Sequence, residues 1–98
     1  MARFDVYHVT GGGLVVDCQA NDFEDIGTRF VVPLVPLDDT VPTNHRLNPR
    51  VEVNGEQLVM LTQFAAAVRT AELKPRVCSL AHEHLTIITA IDTLVGTY

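Results

Sequence analysis

Apolar positions recur in this chain at two spacings, one near the C-terminus and another over most of the rest. In the last twenty residues Leu80, His84, Ile87, Ile88, Ile91, Leu94 and Val95 fall three or four apart. That spacing lines one face of a helix, with His82, Thr86, Thr89 and Thr93 mostly on the other. Ser79 stands where an N-cap hydroxyl would accept from a first-turn amide. Gly96 stands where a left-handed residue would end the helix. The β-branched Thr86, Ile87, Ile88, Thr89, Ile91 and Thr93 favour a strand by propensity. Length decides against that, since about fifteen residues is long for a strand and ordinary for a helix.

Upstream the pattern is closer to alternation. Arg3 to Val9 reads as a first strand, Gly11-Gly12-Gly13 as a hairpin turn and Leu14 to Gln19 as a second strand. An acidic turn over Asn21 to Gly27 precedes a third strand, Arg29 to Leu34, in an apolar run reaching Leu37. Asp38 to Asn48 reads as an irregular surface excursion. Arg50 to Val53 and Glu56 to Thr62 flank Asn54-Gly55, and Asn-Gly between β-rich runs is the strongest short hairpin signal, because a type I′ turn needs positive φ at both residues. Phe64 to Thr70 suits either a helical turn or a strand, and Leu73 to Pro75 is expected to turn the chain towards the helix. Connections this short leave no room for crossover helices. The expectation is α+β: one domain over residues 1–98, a small antiparallel sheet or partly open barrel with one C-terminal helix.

Composition narrows the function classes. The 98 residues are 47% hydrophobic, enough for one packed interior. A net charge of −5 with seven Lys and Arg argues against a direct grip on a nucleic-acid backbone. No apolar run reaches membrane-spanning length and no signal-peptide pattern opens the chain, so the expected location is cytoplasmic. Cys18 and Cys78 allow a single bridge, and a reducing cytosol favours two free thiols.

Candidate chemistry is sparse. His82-Glu83-His84 has the wrong spacing for a helical metal site, because residues two apart point roughly 200° from each other. His84 is expected half-buried and His82 solvated. Cys18 lies in an apolar strand, as a structural thiol would. Cys78 lies by the helix entry, where the dipole would lower its pKa, though a structural thiol is favoured there too. Asp22, Glu24 and Asp25 read as a solvated acidic turn. The triple glycine leads into Leu14-Val15-Val16 rather than a helix, so it is no phosphate loop. The residues alone imply no enzyme, cofactor or metal.

Several blocks together resemble the CcdB family, the toxins of type II toxin–antitoxin modules. They are Phe4-Asp5-Val6-Tyr7, Leu14-Val15-Val16-Asp17-Cys18-Gln19-Ala20-Asn21 and Gly27-Thr28-Arg29-Phe30-Val31-Val32-Pro33-Leu34. Leu47-Asn48-Pro49-Arg50-Val51-Glu52-Val53-Asn54-Gly55-Glu56, Leu61-Thr62-Gln63 and Ala90-Ile91-Asp92 complete the set. The resemblance implies a homodimer of SH3-like subunits, each ending in a helix. It implies binding to the A subunit of DNA gyrase, trapping of the cleaved DNA complex and neutralisation by a CcdA-like antitoxin with a disordered arm. It also implies no catalytic residue and no cofactor. Plasmid toxins of the family end in Trp-Gly-Ile, which carry the gyrase contact. Aligned on that tail, the gyrase-binding candidates here are Val95, Gly96, Thr97 and Tyr98. Two alternatives stand beside this reading. One is a homologue that binds an antitoxin without poisoning gyrase. The other is a ribonuclease toxin on the same scaffold, like MazF and Kid, with Asp17, Arg29, His45 and Arg46 as scattered candidates. A dimer is also expected because Val31, Val32, Leu34, Val35 and Leu37 give more apolar surface than one small core needs.

Overall fold

The alternating segments form seven strands: β1 (Asp5–Val9), β2 (Leu14–Asp17), β3 (Thr28–Pro36), β4 (Arg50–Val53), β5 (Glu56–Met60), β6 (Ala66–Arg69) and β7 (Leu73–Ser79). The helical pattern forms α1 (His84–Val95). The computed structural model describes residues 2–38 and 43–96. All pairings among these strands are antiparallel, in the order β4-β5-β3-β2-β1-β7, with β6 also beside β3. The expected α+β class holds: a curled antiparallel half-barrel with one C-terminal helix.

The longest strand, β3, carries partners on both edges. Val31 to Leu34 pair with β2; on the other edge Thr28 to Val31 pair with β6 and Leu34 to Pro36 with β5. Pro33 sits where the second edge changes partner. Its carbonyl accepts from the Leu61 amide at 2.9 Å. A strand residue's amide and carbonyl face the same edge, so the N–H that proline lacks would have pointed into the gap between β5 and β6. Where β2 stops, the Gln19 side chain continues the ladder. Its Oε1 accepts from the Phe30 amide at 2.9 Å, and its Nε2 donates to the Thr28 and Phe23 carbonyls at 2.9 and 2.8 Å.

Alternation sorts the apolar side chains onto two faces. Val6, Val16, Val32, Leu34, Leu58 and Met60 pack beneath α1 with Leu80, Ile87 and Ala90. Tyr7, Val15 and Val31 form a smaller cluster on the opposite face, with Val9, Val68 and Leu73 against it. The apolar run of β3 is therefore divided between two cores: Val31, Val32 and Leu34 are buried, Val35 is half-buried, and Leu37 alone is exposed. This corrects the surplus-surface argument drawn from those residues.

Three local expectations shift. Leu73 to Pro75 opens strand β7 against β1, with register shifts beside Tyr7, instead of making a turn. The undecided Phe64–Thr70 stretch divides: a 3-10 turn over Thr62–Phe64 leads into β6. The helix starts later than expected, and Ser79 is not its cap: Ser79 ends β7 with its Oγ accepting from the Ala81 amide at 3.1 Å, and a 3-10 turn over Ala81–Glu83 with no side-chain cap precedes α1.

The described part of the 38–48 excursion is firmly tied to the sheet. The Asn48 side chain is buried; its Nδ2 donates to the Met60 carbonyl at 3.1 Å and to Gln63 Oε1 at 2.6 Å, and its Oδ1 accepts from the Asn44 amide at 3.1 Å. Thr62 Oγ1 donates to the Leu47 carbonyl. These bonds hold the 43–48 turn against the end of β5.

Asn54 and Gly55 have φ of 50° and 85° and close the β4–β5 hairpin as a type I′ turn requires. A β-branched residue resists that φ, so Gly55→Val is expected to cost about 1–3 kcal/mol. Urea unfolding monitored by circular dichroism measures it; an unchanged midpoint would refute the strain.

Candidate functional site

The C-terminal end of α1 leaves the sheet with its apolar stripe still running. Ile87 and Ala90 are fully buried, and Ile88 and Ile91 pack partly against the core. Leu94 is 44% exposed and Val95 70% exposed. The stripe therefore does not anchor the chain through Leu94 and Val95, as its spacing suggested; it ends about one turn earlier. The Gly96 amide donates to the Asp92 carbonyl at 2.9 Å, and its φ of 76° with ψ of 143° turns the chain out of the helix. Of the four gyrase-binding candidates, Val95 and Gly96 lie at this exposed end, and Thr97 and Tyr98 lie outside the described residues.

Two aromatics on the same side of the sheet add to the uncovered apolar surface. Phe64 is 62% exposed on the 3-10 turn that lies against α1. Phe30 is exposed too, opposite Ala67 of β6, on the β3 face that carries Val32 and Leu34. Neither residue stands out in the sequence, where Phe30 reads as one more member of a strand.

The four ribonuclease candidates do not meet. Asp17 and Arg29 have fully buried side chains and form an ion pair on the face opposite α1. Arg29 Nε donates to Asp17 Oδ2 at 2.7 Å; Nη2 reaches the same oxygen without hydrogen-bond geometry, and Nη1 has no partner among the described residues. His45 and Arg46 are exposed on the 43–48 turn beside α1. The sheet lies between the two pairs. His82 and His84 are both exposed, so His84 is not half-buried as expected; its Nδ1 lies 3.0 Å from the Ala81 carbonyl. No cluster of three potential metal ligands occurs among the described residues. The acidic 21–26 segment is an exposed 3-10 turn.

Burial governs the thiols. Desolvation, with the Asp17 charge adding to it, pushes Cys18 up to about 12. Cys78 belongs to β7 rather than to the helix entry, and burial raises it also, against a smaller opposing pull from Arg76. Neither thiol is an activated nucleophile. Both are free. Cys78 lies in β7 and Cys18 directly follows β2, the two strands that flank β1, so at normal strand spacing the thiols are at least about 9–10 Å apart and beyond the reach of a disulfide. Tyr7 is raised by burial first, and then by the Asp5 and Asp17 carboxylates.

Architecture and surface together define a small antiparallel half-barrel whose exposed features suit protein contact. The CcdB protein family profile matches residues 3–96, and the chain belongs to that family. The chain is also similar in structure to a protein described as an endoribonuclease in complex with its cognate antitoxin from Mycobacterial species. That likeness has 14% sequence identity and a TM-score of 0.81, and covers 100% of this chain and 97% of the other. At that identity it speaks for the fold. No curated protein matches the chain. No helix among the described residues is long and apolar enough to cross a membrane.

The raised Cys18 thiol makes a pH prediction. Above the ordinary thiol value of 9.0 the unfolded chain releases this proton while the native state holds it until about 12. The unfolded state then binds fewer protons, so stability falls as pH rises across that window. Tyr7, raised from 10.0, contributes in the same direction. Cys18→Ala is expected to flatten the decline without abolishing it, as measured by unfolding midpoints from pH 8 upward; identical slopes would rule the thiol out.

Proposed function

We propose that this chain is the toxin of a toxin–antitoxin pair, a cytoplasmic homodimer that binds the A subunit of DNA gyrase and traps its cleaved complex with DNA. A CcdA-like antitoxin neutralises it. Membership of the CcdB family over residues 3–96 is the observation that carries this reading. The geometry supports it with a contact surface at the place where the family's gyrase-binding tail would begin. Val95 is uncovered, and Gly96 turns the chain out of the helix just ahead of the tail candidates Thr97 and Tyr98. The action is binding rather than catalysis: a wedge, with no cofactor. Phe30, Phe64 and Leu94 supply apolar surface for the homodimer, with α1 near the partner subunit.

The structural neighbour's description raises the ribonuclease alternative. Against it, Asp17 and Arg29 have no exposed surface with which to meet a phosphodiester, leaving only His45 and Arg46 of the four candidates. A non-poisoning homologue differs from the main reading only in its effect on gyrase.

Gyrase cleavage assays separate these readings. The full chain is expected to accumulate cleaved DNA and to leave bare RNA intact. Deleting Thr97 and Tyr98 should preserve folding and antitoxin binding but weaken gyrase trapping by about thirtyfold or more, as loss of an aromatic anchor worth about 2 kcal/mol would. Undiminished trapping by the truncated chain would show that the tail is not the site. Sedimentation at micromolar concentration is expected to give a dimer, and a monomer would end that part of the proposal.

A further inference from the structure

The chain holds four asparagines, and one of them stands in a different position from the rest. Asn48 precedes Pro49, which has no N–H, and its side-chain amide is bonded to Met60, Gln63 and Asn44. Asn44 Oδ1 accepts from the Arg46 and Leu47 amides, and Asn21 Oδ1 accepts from the Arg3 amide at 2.9 Å. Asn54 precedes Gly55. Both are exposed, and the Asn54 side chain makes no hydrogen bond among the described residues. A Cβ placed on Gly55 would meet nothing within 4 Å, so the tip of the hairpin stands open to solvent.

Asparagine is thermolabile for a definite chemical reason. The backbone nitrogen of the next residue attacks the side-chain amide carbon and gives up its proton to the departing amide group. That group leaves as ammonia, and a five-membered succinimide remains. Water then opens the ring at one of its two carbonyls, giving aspartate or isoaspartate. Glycine in second place hinders the attack least, since it carries no Cβ. The folded turn opposes it. At the ψ of about +30° that a type I′ turn sets at its first central residue, the Gly55 nitrogen lies nearly trans to the Asn54 Cβ. Ring closure needs the two almost eclipsed, so the turn has to open first. Val53 resists opening, being buried and paired with Glu56 next to the turn. Yet β4 is an edge strand of four residues that pairs only with β5, and such an edge opens more readily than a central strand.

We propose that Asn54 is a site of spontaneous modification by water: it deamidates when the β4–β5 hairpin opens, and its isoaspartate product cannot close the hairpin again. The two products differ in backbone. Aspartate keeps the path of the chain, and Asp-Gly is accepted in a type I′ turn. Isoaspartate routes the backbone through its Cβ and adds an atom between residues 54 and 55. A two-residue link has no slack for that atom, so the Val53–Glu56 pair is lost. With it goes the register that buries Val51 and Val53. The hairpin thus sets the pace at which folded protein turns into a form with a loose sheet edge.

The test ages the purified full chain at mildly alkaline pH, folded and in guanidinium chloride. Residue 54 is followed by peptide mass and by isoaspartyl methyltransferase labelling. In the folded chain aspartate and isoaspartate are expected at 54 ahead of Asn21, Asn44 and Asn48. The folded chain should react about ten- to a hundredfold more slowly than the unfolded one, as taking Val53 alone or Val53 with Val51 out of the core would require. A short protease pulse on the aged folded sample should digest the isoaspartate form first. The Asn54→Asp variant should resist the same pulse as well as the unaged chain does. Equal rates in the folded and unfolded chains, or earlier reaction at another asparagine, would overturn the proposal. So would an isoaspartate form as resistant as the parent, or none at 54 after ageing about a hundredfold beyond half-conversion in guanidinium.

Discussion

β3 belongs to both halves of the half-barrel, and the alternation along it decides on which side everything else falls. Val32 and Leu34 face the helix, while Arg29 and Val31 face the smaller cluster. Because the side-chain period is two, a slip of one residue against β2 would send Arg29 into the helix-side core and Val32 out of it. Asp17 pairs in register with Val31, diagonally beside Arg29, so the buried ion pair exists in one register only. A buried pair adds little net stability over an apolar substitute, yet separating its members leaves a desolvated charge that costs about 3–5 kcal/mol. Here the pair acts less as glue than as a key that fits a single alignment of β2 with β3.

That dependence explains what the sequence could show. The Asn-Gly hairpin was legible because its geometry is set by two adjacent residues. The α+β class was legible because the change of period needs only a window of sequence. The burial of Arg29 was not, since a charged residue in an alternating segment is ordinarily exposed and its partner lies twelve positions earlier. Asn48 is the same case: a turn residue by composition, but held by Met60 and Gln63. β7 was hidden by Pro75, which punctuates most strands. It is tolerated because β7 is an edge strand with register shifts, where a missing N–H breaks no ladder.

At the candidate site the sequence located the surface and mistook its environment. The spacing of apolar residues along α1 continues through Leu94 and Val95, so periodicity alone placed them against the core. Periodicity gives the direction of a side chain, not the extent of the sheet beneath it. Here the last contact with the core is at Ile91.

The three parts of α1 meet three different environments, and this ties the fold to its proposed use. Ile87 and Ala90 fix the helix on the sheet; Thr86, Thr89 and Asp92 line a polar groove; Leu94 and Val95 stand uncovered. Full burial of a large aliphatic side chain is worth about 1.5–3 kcal/mol, so a solitary protomer forgoes part of that by leaving Leu94 44% exposed at the helix end. Phe30 and Phe64, uncovered on the same side of the sheet, enlarge that deficit. A symmetric partner that covered this side would recover it, and in doing so would bring two chain ends together.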